Sequence, residues 1–200
     1  MGPPTRNYFL PVLFAIVRVV KVILDMVISP NGFIARENGD EDWLPHEGWD
    51  DFVTEAKERN NIVMGRQTYE QVTEKYEDEN FNNVQAEHKL IVTRDKNFQA
   101  PRGYIVVHSP EEAIEYLDKA GVETLLLIGG GILNAAFAKR NLINQVQLTV
   151  TPYIIGKGRP LLAFDDFEFG MTLLDVKQLS LGRVRLTYKV NPKTKDRSYK

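Results

Sequence analysis

Two hundred residues, 43% hydrophobic and 26% charged with a formal net charge of −2, describe a globular chain of about one domain. Without cysteine there is no disulfide framework, zinc finger or thiol catalysis, and such a chain suits a reducing cytoplasm, where the protein is expected. So small a net charge offers nucleic acid no electrostatic footprint, and ten prolines and fourteen glycines exclude a fibrous or low-complexity chain.

The first feature in chain order is an apolar run, Tyr8 to Ile28, interrupted by Pro11, Arg18, Lys21 and Asp25. As a membrane span, each charge would cost roughly 2.5–3.5 kcal/mol near a helix centre, which apolar residues at about −0.3 to −0.6 kcal/mol each barely offset. A signal peptide fits no better, because Pro11 breaks the run and no small-residue cleavage site follows. The β-branched stretch Val19–Ile28 reads as a buried first strand. Residues 1–16 are then an extension with no membrane role, residues 17–190 one domain, and residues 191–200 a polar, basic tail.

Ser29-Pro30-Asn31-Gly32 is a turn cluster, and a charged loop, Arg36–Asp42, ends at Trp43. Trp49, Phe52, Val53 and Ala56 fall at helical spacing, predicting a helix from Gly48 to Arg59 that Asn60-Asn61 stops. Ile62-Val63-Met64 is a short strand, and Gly65 turns it into a helix over Gln67–Tyr76. Lys89–Thr93 and Ile105–Val107 are further strands. Ser109-Pro110-Glu111-Glu112 combines a capping serine, a first-turn proline and a glutamate three residues on, the signature of a helix start. Leu125–Ile128 is wholly apolar, hence a central strand, and Gly129-Gly130-Gly131 opens onto a helix over Ile132–Arg140. Val146–Thr151 is a strand, and Leu173–Leu179 and Arg183–Val190 form a closing hairpin. Strands alternating with helices predict an α/β domain: a mostly parallel sheet covered on both faces, with an antiparallel C-terminal edge.

Two strand-to-helix junctions carry glycine, at Met64-Gly65-Arg66-Gln67-Thr68 and at Ile128-Gly129-Gly130-Gly131-Ile132. Each exposes backbone N–H groups at the positive end of a helix dipole, and glycine lets a phosphate come close. Arg66 adds a bidentate donor and Thr68 a hydroxyl. Thr93-Arg94 leaves a third strand where ligands of parallel sheets collect. Each junction alone also fits a plain tight turn; three at the strand ends of one sheet point to a dinucleotide with several phosphates. The last glycine of G-x-G-x-x-G and a P-loop lysine are both missing. His46-Glu47 begins like H-E-x-x-H, but Asp50 stands in the second histidine's place, and His88 and His108 are isolated, so no metal site is expected.

These motifs, taken in order with Ser29–Ala35, Asp42-Trp43, Tyr69-Glu70 and Pro152-Tyr153-Ile154-Ile155-Gly156-Lys157-Gly158-Arg159-Pro160-Leu161, resemble the dihydrofolate reductase superfamily over residues 19–190. The chain looks most like the reductase, C-terminal domain of bacterial riboflavin-biosynthesis deaminase-reductases and their stand-alone relatives. The resemblance implies a dihydrofolate-reductase-like three-layer fold around an eight-stranded mixed sheet. It implies NADPH as cofactor, held at its phosphates by Gly65, Arg66, Gln67 and Thr68 and by Gly129, Gly130, Gly131, Ile132 and Leu133. Thr93 and Arg94 would meet the 2′-phosphate, and Val27, Ile34, Ala35 and Ile128 would line the nicotinamide. Trp43 and Thr149 would contact substrate, and relatives form homodimers.

In folate reductases an acid at the start of the helix after the tryptophan serves proton delivery. That place falls to Glu47, with Asp50 and Asp51 as substitutes, although a glutamate at a helix start also fits the dipole alone. The arginine that grips the folate glutamate tail is replaced by Glu87, which argues against folate, and Asn31 stands where riboflavin reductases carry aspartate. The expected activity is thus NADPH-dependent reduction of a small heterocyclic or ribosylamino substrate of the riboflavin-pathway kind. Dihydrofolate reduction and a non-catalytic NADP-binding protein are the alternatives.

Overall fold

The computed structural model describes residues 20–77 and 80–191, so the expectations for residues 1–16 and for the tail lie outside the described residues, save Asn191. The sheet is eight-stranded and mixed: β1 (Lys21–Ile28), β3 (Asn61–Gly65), β4 (His88–Val92), β5 (Ile105–Val107), β6 (Thr124–Leu127), β7 (Gln145–Val150), β9 (Met171–Gln178) and β10 (Val184–Val190), in the order β5-β4-β3-β6-β1-β7-β10-β9. Strands β5 through β7 pair in parallel, whereas β10 runs antiparallel to β7 and to β9, so the predicted edge hairpin is present.

The four-residue strand β6 is central because its side chains are apolar on both faces. Leu125 and Leu127 join the core under α3 (Pro110–Lys119) and α4 (Gly131–Lys139), and Leu126 joins the one under α1 (His46–Arg59) and α2 (Arg66–Lys75). Fully burying such side chains contributes roughly 1.5–3 kcal/mol each. Asn61, fully buried, ties β3 to β6: its Nδ2 donates to the Thr124 carbonyl at 2.7 Å and its Oδ1 accepts from the Leu126 N–H at 2.9 Å. Asn60 stops α1 in the left-handed region at φ 56°, which asparagine tolerates well. Ser109 caps α3 as expected, accepting from the Glu112 N–H at 3.1 Å, but the Glu112 carboxylate reaches back to the His108 N–H, one residue beyond a capping box.

Two short strands went unforeseen. Phe33–Arg36 (β2) and Gly158–Pro160 (β8) form a separate antiparallel pair. This flap lies over α4's start, where the Ala163 N–H donates to the Gly131 carbonyl at 3.0 Å, and Asn31 Nδ2 donates to the Ile155 carbonyl at 2.7 Å beside it. No described helix is long and apolar enough to cross a membrane.

Candidate active site

The larger of two adjoining hollows is a groove of 1210 Å³ at the carboxyl ends of β3, β4 and β6. Helices α2, α3 and α4 all begin on it, and α2 and α4, with Gly65 and Gly130 at their caps, receive no side-chain cap. Their first N–H groups therefore stay available to an anion. Glycine is required here: a Cβ on Gly130 would stand 2.9 Å from Thr68 Oγ1, and one on Gly131 would stand 2.5 Å from the Pro160 carbonyl oxygen.

The two arginines differ. Arg66 donates Nη1 to Asp95 at 2.8 Å, approaches Glu70 at 3.3 Å and lies over the Phe98 ring at 5.3 Å. Arg94 is exposed, lines the groove, and forms no hydrogen bond or ion pair among the described residues. Gly65, Gln67, Thr68, Thr93, Ile128, Gly130, Gly131, Ile132 and Leu133 line the groove as well, with Ile34 and Ala35 on its flap side. Gly129 does not; at φ +101° a Cβ there would meet Met26 at 3.2 Å. His108, whose Nδ1 lies 2.9 Å from the Thr93 carbonyl, and Arg159, which donates to Gln71 at 2.7 Å, join the lining, although neither was among the expected site residues.

The smaller cavity, 210 Å³, is bordered by β1, β7, β10 and α1. It shares a wall with the groove at Met26, Ile34, Glu41, Thr68, Tyr76 and Ile128. Trp49, Phe52 and Phe81 give it an aromatic side, with Trp49 5.1 Å from Phe52 and 6.1 Å from Phe81 between ring centroids. Val27 and Thr149 line this cavity, so Val27 opens on the smaller hollow and not on the groove.

Several expectations need correction. Glu47 and Asp50 are exposed and line neither hollow, because the inward stripe of α1 runs through Gly48, Asp51, Phe52 and Glu55. Asp51 does line the cavity, but it is bound to Arg183 at 2.8 Å. Trp43 lines neither hollow; it is 7% exposed and stacks on Tyr153 at 6.1 Å. Glu87 accepts from Asn60 at 3.0 Å outside both hollows, so its charge says nothing about substrate.

The acids inside are others. Glu41 sits on the shared wall; its N–H donates to the Tyr76 hydroxyl at 3.0 Å and its carboxyl takes no hydrogen bond among the described residues. Burial pushes that carboxyl up to about 7, against the pull of Lys75 and Arg159. Asp25, 9% exposed in mid-β1, is pushed up to about 6 by burial, with Arg185 and Arg59 opposing and Glu55 and Asp51 reinforcing. In sequence, Glu41 hides in a charged loop and Asp25 reads as a blemish in an apolar strand.

This is the architecture of the dihydrofolate-reductase class. Dihydrofolate reductase from Enterococcus faecalis, solved with NADP(H), aligns over 86% of this chain and 97% of its own at a TM-score of 0.62 and 20% identity. A Thermotoga maritima diaminohydroxyphosphoribosylaminopyrimidine deaminase/5-amino-6-(5-phosphoribosylamino)uracil reductase aligns over 86% of this chain and 57% of its own, at a TM-score of 0.67 and 14% identity. The chain belongs to the RibD C-terminal domain family, whose sequence profile matches residues 20–184. The uncharacterized protein YyaP of Bacillus subtilis strain 168 is 25% identical over 182 residues, covering 86% of this chain and 95% of its own.

Proposed function

We propose that the protein is an NADPH-dependent reductase of a small heterocyclic substrate, with the pyrimidine chemistry of the riboflavin pathway as the leading specific reading. The observation that carries it is the pair of hollows: a phosphate-suited groove opening through a common wall onto a small aromatic cavity. At 1210 Å³ the groove exceeds the ~300–1,000 Å³ of usual small-molecule clefts and suits a dinucleotide. The uncapped starts of α2 and α4 fit a pyrophosphate, and Arg94, with no ion pair among the described residues, fits the 2′-phosphate. Arg66, already answered by Asp95 and Glu70, contributes less.

Bound there, NADPH supplies hydride to an electrophilic C=N or C=O carbon. Ile128, Met26 and Ile34 orient the reacting faces at the common wall and exclude water from them. Hydride addition leaves an electron pair on nitrogen or oxygen, and that atom needs a proton. Glu41 holds one: its carboxyl is about half protonated near pH 7 and stands where the hollows meet.

Fluorescence titration with both dinucleotides tests the reading. NADPH is expected to bind at least tenfold more tightly than NADH, since one charge-assisted hydrogen bond contributes roughly 1.5–3 kcal/mol. Equal affinities would contradict the cofactor assignment.

A further inference from the structure

His108 is isolated in the sequence, but the parallel register sets it beside the exit of β4. Val92 pairs with Val107, and the Thr93 N–H donates to the Val107 carbonyl at 3.0 Å. The His108 ring then reaches back to the same strand end, its Nδ1 2.9 Å from the Thr93 carbonyl. A carbonyl oxygen only accepts, so Nδ1 carries the hydrogen. Nε2 takes no hydrogen bond among the described residues, and the ring lines the groove, as Arg94 does. With Nδ1 so fixed, Nε2 of the neutral ring is a bare acceptor that an anion avoids. Once protonated, it becomes a positively charged donor.

The charges around this ring are mostly answered. Asp95, near enough for its charge to be felt at His108, is held by Arg66 at 2.8 Å and by the Asn97 N–H at 2.9 Å. On α3, Glu112 accepts from the His108 N–H at 2.8 Å, and Glu111 pairs with Arg140 at 2.9 Å. On α4, Lys139 pairs with Asp165 at 2.8 Å. Of the arginines and lysines lining the groove at α2, β4 and α4, only Arg94 has no ion pair among the described residues. A phosphate monoester carries close to two negative charges near neutral pH, so one guanidinium leaves about one of them unanswered.

We propose that His108 is the second cation of the 2′-phosphate site: it takes up a proton when NADP(H) binds, and so makes the preference for NADP(H) over NAD(H) pH-dependent. In the empty groove Arg94 opposes a charge on the ring, while Asp95 and Glu112 favour it. A bound dianion offsets Arg94 and adds to the favouring side. The proton comes from solvent, sits on Nε2 and returns to solvent on release. A bare 2′-hydroxyl supplies no such charge, so NAD(H) leaves the ring as it was. As pH rises the site falls back on Arg94 alone. The inference rests on the reductase reading only in seating the dinucleotide in this groove.

Calorimetric titration of the full chain with NADP+ near pH 7.5, in two buffers of different ionisation enthalpy, counts the proton. The free 2′-phosphate, with its second pKa at about 6, is already dianionic there and adds nothing to the count. Uptake of roughly half a proton per NADP+ is expected. The fragment 2′,5′-ADP, which has the 2′-phosphate and no nicotinamide, should take up the same proton, placing it at this end of the groove. His108→Gln, whose amide can still donate to the Thr93 carbonyl, should abolish the uptake. Wild-type affinity for NADP+ should fall about tenfold between pH 6.5 and 8.5, and that of His108→Gln should stay within about twofold. No uptake with NADP+, uptake with NADP+ but not with 2′,5′-ADP, or uptake that persists in His108→Gln would overturn the proposal and leave the reductase reading in place. If neither NADP+ nor 2′,5′-ADP bound, both would fall.

Discussion

The groove gathers uncapped helix starts and Arg94, and the smaller cavity gathers the carboxyls of Asp25 and Glu41 beside Arg185. Along the groove, α2 and α4 start without side-chain caps, and Arg94 has no ion pair among the described residues. At the cavity, Arg183 is spent on Asp51 and Ser180, while the carboxyls of Asp25 and Glu41 take no hydrogen bond among the described residues. The two hollows share a wall at Met26, Ile34, Glu41, Thr68, Val72, Tyr76 and Ile128. Buried carboxyls without partners cost stability, and such sites persist where function uses them.

The largest effect that can break this contrast is catalytic. With a heterocycle that supports NADPH oxidation, Glu41→Gln should lower kcat about 10²- to 10⁴-fold while NADPH affinity stays nearly constant. In the wild type, kcat should fall as pH rises through about 7, because the proton to be donated is lost there. Unchanged turnover would move proton delivery away from the shared wall.

Next comes the groove. Arg94→Ala should weaken NADPH about 10- to 150-fold, the equivalent of roughly 1.5–3 kcal/mol, and leave NADH alone. A matching loss for both dinucleotides would show that Arg94 does not meet the 2′-phosphate.

On the cavity side the contrast predicts a gain. The folded protein holds the Asp25 proton more tightly than the unfolded chain, its carboxyl standing at about 6 against an ordinary 3.8. Its cost to folding is therefore absent below about pH 4, grows with rising pH, and is complete above about 6. Asp25→Asn should thus stabilise the protein by roughly 2–3 kcal/mol at pH 8 and by nothing at pH 4, read from urea unfolding at both. A destabilised variant at pH 8 would mean that Asp25 is paired after all. The smallest effect belongs to Glu47→Gln, which should leave turnover unchanged and stability within about 0.5 kcal/mol, as for an exposed residue.

The donors were legible in the sequence and the acceptors were not. Gly65, Thr68, Gly130 and Arg94 announce themselves because a glycine or a cation at a strand end has a local reason to be there. The strands and helices around them follow from periodicity, down to Ile105–Val107 with its observed bounds. The flap escaped because Phe33–Arg36 and Gly158–Pro160 are four and three residues long, and nothing local says that they pair. Glu41 looked like one solvated charge among many, and only the fold shows its loop turned onto Tyr76 and both hollows. Glu47 was favoured over Asp51 by its place at the helix start, yet Asp51, one turn further along the same side of α1, is the acid that lines a hollow.

A crystal structure of the full chain with NADP+ tests the division of labour most directly. The 2′-phosphate should lie within hydrogen-bond distance of Arg94, the pyrophosphate at the starts of α2 and α4, and the nicotinamide against Ile128 and Met26, its reactive face toward Glu41 and the smaller cavity. A dinucleotide whose phosphates lie away from those helix starts, or whose nicotinamide is turned from the shared wall, would contradict the account.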